Sequence, residues 1–408
     1  MLRHVRLGLI VALFINAVIA VPALAMDQDN CVEGTHREGA LYLICMPTER
    51  EWNGDLVIFA HGYVAFNEPL QIPDLYLPDG TYLPDIANGL GYAFATTSYS
   101  ENGLAVLEGI QDLRDLVDVF SGIHGSPNNI YLVGGSEGGI ITTLAVEQYP
   151  EEFTGGLAAC GPIGDFHKQV TYWGDFRAVF DVFFPDAIPG SPIEIPDEVI
   201  ENWETVYASE IAATIQDNRI LTAQLLNVTK APIDIRDQDS IEETVLGLLW
   251  YNVFATNDGI AKLHGQPFGN MLRIYTGSLN DIRLNRRVIR VKAEVGALEE
   301  IERNYQTTGE LVSPIVSLHT TKDPIIPYWH VLDYRQKVQE SGSTSLYANV
   351  PVPRYGHCEF KTPEVLVAFA LLVYKANGQQ LEGVEGVLLD ADDLSEFFRL
   401  AQEYGLNQ

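Results

Sequence analysis

The chain reads Val133-Gly134-Gly135-Ser136-Glu137-Gly138-Gly139 where an apolar run gives way to a helical pattern. Residues 130–133 are apolar and predict a buried strand, and residues 140–145 predict the start of a helix. A Gly-x-Ser-x-Gly turn in that context is typical of a nucleophile elbow, whose glycines permit a turn too tight for side chains. Ser136 would then lie at a helix N-terminus, where free N–H groups favour a developing oxyanion. Taken alone, the motif is equally compatible with an ordinary glycine-rich loop.

The first 25 residues have the composition of an export signal. Arg3, His4 and Arg6 give a positive start, residues 7–21 are almost wholly apolar, and Ala23-Leu24-Ala25 offers small residues for cleavage. The apolar stretch is short for a membrane span, and we find no later candidate, so stable membrane insertion is not expected. We predict a signal peptide at 1–25 and a secreted or periplasmic protein, with a retained N-terminal anchor as the alternative.

The charge and the composition limit the classes of partner. A formal net charge of −30 disfavours nucleic acid and anionic membranes as partners, while 47% hydrophobic residues supply ample core material. No cluster of Cys and His residues has metal-ligand spacing, so no metal site is predicted. The charge names no substrate and leaves the oligomeric state open.

Four cysteines are present, namely Cys31, Cys45, Cys160 and Cys358. An even number in an exported chain favours two disulfides. The local pair Cys31–Cys45 is the more favourable first choice, and Cys160 and Cys358 would then pair by elimination. Buried thiols are the alternative for either pair.

The distribution of strand and helix patterns predicts an α/β fold with an insertion. Apolar strand patterns alternate with helical patterns, which predicts a mostly parallel central sheet flanked by helices. The strand patterns lie at 41–46, 55–61, 92–97, 130–133, 155–159, 314–318 and 345–350. Between them, residues 166–308 are rich in aromatic residues and lack clear strands. We therefore predict a core formed by 26–165 and 309–408, and a mainly helical cap at 166–308.

A serine nucleophile needs a base, and the base needs an orienting acid. In this architecture the expected chain order is serine, acid, histidine, each after a strand. Asp323 follows the 314–318 strand and His357 follows the last strand, so the predicted triad is Ser136, Asp323 and His357. Alternatively, Asp323 could cap the next helix and His357 could be a surface loop residue.

The predicted oxyanion hole uses two backbone N–H groups. One belongs to Glu137, the residue after the nucleophile. The other is expected in the loop after the 55–61 strand, where we choose Tyr63, with Gly62 as the substitute. His61 is expected to be a packing residue. The side chain of Glu137 could also contact substrate, or it could simply lie in the first helical turn, where its negative charge interacts favourably with the helix dipole.

With these motifs the chain resembles the α/β-hydrolase superfamily over roughly residues 40–376. The matching segments are His61-Gly62, the elbow at Ser136, Asp323-Pro324 and Gly356-His357. The elbow and the segment around Asp323 look like those of the secreted esterase and prolyl-oligopeptidase-like branches. His357-Cys358 is also similar to the His-Cys half of tannases and feruloyl esterases. Their partner cysteine, however, precedes the serine, where this chain has Gly135. The resemblance therefore implies the triad and not the tannase substrate.

These expectations together predict a secreted serine hydrolase that cleaves carboxylic esters and requires no cofactor. A secreted serine peptidase or amidase with the same triad is the alternative, because esters and amides pass through the same kind of oxyanion. A non-catalytic binding protein on a hydrolase fold is a third reading. The substrate could be a small molecule or a polymer. The cap aromatics suggest an apolar or aromatic substrate group, although they could equally form the core of the cap itself.

Overall fold

The computed structural model describes residues 30–406. The signal-peptide prediction at 1–25 lies outside these residues. Eight strands within the described range form one sheet with the order β1-β2-β4-β3-β5-β6-β7-β8. Their bounds are β1 (Cys31–Thr35), β2 (Leu41–Cys45), β3 (Leu56–Ala60), β4 (Ala93–Thr97), β5 (Ile130–Gly135), β6 (Gly155–Ala159), β7 (Ile315–Lys322) and β8 (Tyr347–Tyr355).

The sheet is parallel from β4 through β8, and only its first edge is antiparallel. β1 pairs with β2 and β2 with β4 in antiparallel register, whereas every other neighbouring pair is parallel. β4 is buried along its whole length, as expected for a strand covered on both faces. The predicted mostly parallel sheet is therefore confirmed.

Helices cover both faces of the sheet. In the described chain they are α1 (Leu83–Gly89), α2 (Val106–His124), α3 (Glu137–Gln148), α4 (Phe166–Phe183), α5 (Asp197–Glu201), α6 (Ala208–Asp217), α7 (Arg219–Thr229), α8 (Asp239–Lys262), α9 (Asp281–Arg287), α10 (Val295–Asn304), α11 (Trp329–Ser341), α12 (Thr362–Asn377), α13 (Val384–Val387) and α14 (Ala391–Glu403). Short 3-10 turns occur at Arg37–Gly39 and Thr344–Leu346, and a π-helical turn at Trp203–Tyr207.

Alternate residues along the strands pack into two different hydrophobic cores, one on each face of the sheet. Ile58 of β3 packs with α2 and α3 on one face, whereas Val57 packs with α1, α12 and α14 on the other. This follows from the two-residue period of side chains along a strand. Within residues 30–406, no helix combines the length and the apolarity that a membrane crossing requires.

Helices α4 to α10 are inserted between β6 and β7, which confirms the mainly helical insertion. They have a hydrophobic core of their own, in which Phe176, Phe180 and Trp203 are almost completely buried. Many of the aromatics in this stretch therefore serve to hold the insertion together. The division of the chain at 166–308 into a separate cap remains a prediction.

Candidate active site

Ser136 occupies the tight turn between β5 and α3. Its backbone has φ +56° and ψ −119°, a left-handed conformation that costs a non-glycine residue free energy. The turn packs so closely that a β-carbon on Gly138 would clash with the carbonyl group of Ala60, and one on Gly134 with the carbonyl of Gly138. The predicted reason for these glycines, a turn without room for side chains, thus agrees with the geometry.

The structure brings Ser136, His357 and Asp323 together from three separate loops. His357 Nε2 lies 2.9 Å from Ser136 Oγ, and His357 Nδ1 lies 2.7 Å from Asp323 Oδ2. Both distances are those of hydrogen bonds. The imidazole is positioned to accept the serine proton on one nitrogen while the other donates to the carboxylate.

Asp323 is held in one orientation by its neighbours. The carboxyl group is fully buried, and its Oδ1 accepts the backbone N–H groups of Ile325 at 2.8 Å and Ile326 at 2.9 Å. Because these donors occupy Oδ1, Oδ2 remains available to accept a hydrogen bond from His357. His319 is also near, with Nε2 3.6 Å from Oδ2, but that nitrogen donates to the Ile326 carbonyl at 2.7 Å. Burial lowers the pKa of His319, which favours its neutral form.

Both predicted disulfides are present. Cys31–Cys45 joins β1 to β2, and Cys160–Cys358 ties the residue after β6 to the residue after His357. The second bond restrains the histidine loop, although through a different partner position from that in tannases. Cys160, His357 and Cys358 are close enough to suggest a metal site, but their sulfur atoms are used in the disulfide and cannot act as thiolate ligands.

The loop after β3 lies against the serine. A β-carbon on Gly62 would be 3.1 Å from Ser136 Cβ, so the backbone leading to Tyr63 passes directly beside the nucleophile. The Tyr63 hydroxyl donates to the Phe254 carbonyl of α8 at 3.0 Å, which fixes this loop to the insertion. His61 stacks on Tyr99 with ring centroids 3.9 Å apart. That packing role is the one expected for His61.

A largely apolar pocket opens beside Ser136, with about 840 Å³ of space free of protein atoms, part of it open to solvent. Insertion and core both contribute to its walls, including Trp173, Tyr251, Phe268, Phe166 and Ile326. The aromatics of the insertion are thus divided between its internal core and this pocket. Neither role accounts for all of them.

Glu137 is a buried carboxyl group at the pocket wall. Loss of hydration raises its pKa to about 8, despite the attraction of Lys262 and a hydrogen bond from the Ala105 N–H at 3.2 Å. Asp258 and Glu108 raise the pKa further. The side chain is therefore largely uncharged at neutral pH, so the pocket presents little negative charge there.

One residue near the serine was not identified from the sequence. Tyr251 of α8 lines the pocket together with Ser136, and loss of hydration on burial raises the pKa of its hydroxyl. Tyr251 lies inside the segment predicted to be a mainly helical cap, 166–308, but no motif marks it. Only the packing of the insertion brings it to the nucleophile.

No family model matches the chain. Among curated proteins it is similar to an o-phthalyl amidase of Xanthobacter agilis, at 20% identity over 88% of each chain. This identity is too low to assign the chain to that protein's family.

Solved structures with a similar arrangement include an esterase from Aspergillus oryzae, with 14% identity, 86% of this chain and 80% of that chain covered, and a TM-score of 0.47. For feruloyl esterase B from Aspergillus oryzae, the identity is 13%, 85% of this chain and 80% of that chain are covered, and the TM-score is 0.44. For the acylaminoacyl peptidase of Pyrococcus horikoshii, the identity is 12% and the TM-score is 0.39. The match covers 80% of this chain but only 37% of that chain, so this chain spans well under half of its length.

The fold is that of the α/β hydrolases. This conclusion follows from the chain's own topology: a mostly parallel sheet, a serine elbow between β5 and α3, and helices inserted after β6. The likeness to solved structures concerns the fold alone, and the reaction has to be argued from the residues of the site.

Proposed function

We propose that the chain is a secreted serine hydrolase that cleaves carboxylic esters through an acyl-enzyme. The observation that carries this proposal is the pair of hydrogen-bonding distances, 2.9 Å and 2.7 Å, that link Ser136 to His357 and His357 to Asp323. A serine hydroxyl becomes a strong nucleophile when an oriented imidazole accepts its proton.

The proposed reaction has two halves. Ser136 Oγ attacks the acyl carbon while its proton passes to His357 Nε2, and Asp323 stabilises the imidazolium. The N–H groups of Glu137 and Tyr63 receive the oxyanion, with Gly62 as the substitute donor. The ester bond then breaks, and His357 gives its proton to the leaving alcohol. Water attacks the acyl-enzyme by the same route and releases the acid, so no cofactor takes part.

The pocket beside the serine supports an uncharged, apolar substrate group. Its wall is mostly hydrophobic, and its described lining contains neither lysine nor arginine. A carboxylate on the substrate would lose its hydration there without gaining a cationic partner. We therefore propose aliphatic or aromatic acyl or alcohol groups without charge, whether the ester is small or part of a polymer.

Amide cleavage is the second candidate. It is favoured by the similarity to the o-phthalyl amidase, which extends over 88% of both chains. The same triad serves amides, provided that His357 protonates the leaving nitrogen. Comparing kcat/KM for p-nitrophenyl acyl esters with that for acyl and aminoacyl p-nitroanilides distinguishes the two, and a higher value for the anilides would reverse our choice.

A fluorophosphonate probe tests the common basis of both candidates. We expect the probe to label Ser136 in the wild type, and Ser136→Ala to lose both labelling and turnover while keeping its circular dichroism spectrum. Absence of labelling and turnover in the folded wild type would instead favour a binding protein on a hydrolase fold.

Export and domain organisation are part of the proposal. The composition of residues 1–25 supports a cleaved signal, and two disulfides are compatible with an oxidising compartment. We propose a core of 26–165 and 309–408 with a cap at 166–308. The intact mass of protein recovered outside the cytoplasm should correspond to cleavage after Ala25, with all four cysteines oxidised.

A further inference from the structure

Residues 271–292 of the insertion are basic, although the chain as a whole is acidic. The segment has six basic side chains and one acidic side chain, a formal charge of +5, whereas the whole chain has 55 acidic and 25 basic residues. Its basic residues are Arg273, Arg283, Arg286, Arg287, Arg290 and Lys292. Within residues 30–406, the three arginines of α9 have no acidic side chain at ion-pair distance. Their charge is therefore available to an external partner.

The same segment exposes large aliphatic side chains. Leu272 is 97% exposed, Leu279 is 82% exposed and Ile274 is 78% exposed, and Met271 and Ile282 are exposed as well. Single apolar residues are common on protein surfaces and need no explanation, but a group of them indicates a surface that meets a partner. Here the group is interspersed with the unpaired arginines. We call the exposed side chains of residues 271–292 the basic apolar surface.

The two halves of this surface are fastened to each other and to the insertion. Arg290 donates to the Arg273 carbonyl at 2.6 Å, and the Asn285 side chain donates to the Tyr275 carbonyl at 2.6 Å and accepts the Tyr275 N–H at 2.9 Å. The loop before Tyr275 therefore lies beside α9. The Tyr275 hydroxyl donates to Asp175 of α4 at 2.6 Å. Buried neighbours thus hold the exposed leucines and isoleucines outward.

We propose that the basic apolar surface docks the protein on anionic phospholipid membranes. The aliphatic side chains enter the boundary between headgroups and acyl chains, and the arginines contact lipid phosphates, the combination that holds peripheral proteins in this layer. Nucleic acid is the less suitable partner, because the exposed apolar side chains are aliphatic and cannot stack on bases as aromatic rings do.

The net charge of −30 does not prevent this docking. At an ionic strength of 0.1 M the Debye length is about 10 Å, so a membrane in contact with residues 271–292 interacts mainly with their local charge. The more distant acidic residues are screened. They favour the orientation in which this surface, and not another, faces the membrane.

The surface continues from the wall of the pocket beside Ser136. Phe268 lines that pocket three residues before Met271, and Gly174 lines it next to Asp175, which holds Tyr275. Docking would therefore keep the candidate site close to the membrane, where esters with apolar groups concentrate. This last consequence rests on the proposed hydrolase function, whereas the docking itself does not.

The test measures vesicle binding in the Ser136→Ala background, so that lipid hydrolysis cannot contribute. We expect co-sedimentation with vesicles of phosphatidylglycerol and phosphatidylcholine in equal amounts, and little with phosphatidylcholine alone. Raising the salt from about 0.1 M to about 1 M should release the protein, because the Debye length shortens to about 3 Å. Arg286→Gln/Arg287→Gln should bind roughly 25-fold more weakly, about fivefold for each charge. Arg50→Gln/Arg335→Gln, with the same charge change outside this surface, is the control and should bind normally.

A second pair of variants tests the aliphatic contribution. Leu272→Ser should weaken vesicle binding roughly tenfold, whereas Leu389→Ser, at a leucine that is 88% exposed near the C-terminus, should not. Absence of binding to the anionic vesicles, equal binding to both kinds of vesicle, or equal loss in each variant and its control would overturn the inference. Self-association that requires Leu272, without vesicle binding, would also overturn it, since a second copy would then cover the surface. Vesicle binding by a wild type that is inactive and unlabelled would overturn the proposed function alone.

Discussion

Replacing Asp323 with Asn should reverse the roles of the two His357 nitrogens. The variant preserves the shape of the side chain, but its amide oxygen has to remain where Asp323 Oδ1 accepts the N–H groups of Ile325 and Ile326. The opposite orientation would place an NH2 group against two backbone donors. The amide NH2 therefore faces His357 Nδ1, which becomes an acceptor, and the proton moves to Nε2. Nε2 then cannot accept the proton of Ser136.

The expected loss follows from the removal of the general base. A tautomer reversal of this kind lowers kcat by about 10⁴-fold in the Ser-His-Asp proteases that serve as the template. At 1.36 kcal/mol per tenfold change, this corresponds to about 5 kcal/mol of transition-state stabilisation. His319 cannot compensate, because its Nε2 is already donating to the Ile326 carbonyl at 2.7 Å.

The assay compares kcat for p-nitrophenyl butyrate in the wild type, Asp323→Asn and Asp333→Asn. Asp333 pairs with Lys168 at 2.7 Å on the surface, so the same substitution there should leave kcat nearly unchanged. Nitrogen-15 NMR of labelled histidine should show the Nε2–H tautomer of His357 only in Asp323→Asn. A folded Asp323→Asn variant that keeps more than a tenth of the wild-type kcat would refute the assignment of Asp323 as the orienting acid.

Three further sets of substitutions test the disulfides, the buried Glu137 and the glycines of the elbow. Replacing Cys160 and Cys358 with Ala should lower kcat at least tenfold and also lower Tm, whereas removal of the disulfide between β1 and β2 should lower Tm alone. Glu137→Gln should remove a pH-dependent penalty: the pKa of about 8 lies above the unfolded value near 4.5, so wild-type stability is lost as pH rises through this window. Urea unfolding should show that the free energy of unfolding of the variant, relative to that of wild type, rises by up to about 4 kcal/mol between pH 5 and pH 9. The same change with pH in both proteins would contradict this. Gly138→Ala should cost more than about 3 kcal/mol through its backbone clash, whereas Gly135→Ala, which meets nothing within 4 Å, should cost under about 1 kcal/mol.

The placement of the site was predictable because each of its three side chains follows a strand. β5 ends at Gly135, β7 ends at Lys322, and β8 ends two residues before His357. Buried parallel strands are continuous apolar runs, which are easy to recognise in a sequence. The carboxyl ends of parallel strands lie at the same edge of the sheet. The position of each residue shortly after a strand was therefore sufficient to predict that these distant residues lie close together.

β1 was missed because it has almost none of the features that identify a strand. Cys31–Thr35 contains a glycine and a glutamate, and most of it is exposed at the sheet edge. Its existence depends on pairing with β2, to which the Cys31–Cys45 disulfide adds a covalent connection. Such a strand is specified by tertiary contacts and by chain closure, neither of which produces a periodic pattern.

For the inserted helices, the sequence could not predict which aromatic residues line the pocket. Trp173 and Phe176 are three residues apart on α4 and look equivalent in the sequence, yet Phe176 is fully buried in the internal core and Trp173 lines the pocket. Which face of α4 meets the nucleophile depends on how the inserted helices pack against one another. The same holds for Tyr251 on α8. Composition could therefore indicate aromatic residues near the substrate, but it could not separate the pocket wall from the core.

The anchoring of α8 makes the insertion part of the reaction geometry. Besides its contacts with Tyr355 and Tyr63, α8 places Asp258 where its carboxylate accepts the Leu104 N–H at 2.7 Å, next to the backbone that hydrogen-bonds Glu137. One helix thus contacts β8, the loop after β3 and the segment behind the elbow. A shift of α8 would move His357 and the proposed oxyanion donors together, and displacements of about 1 Å can cost 10²-fold in rate. Damage to this helix should therefore reduce turnover at temperatures where the sheet is still intact, because the sheet has its own cores on both faces.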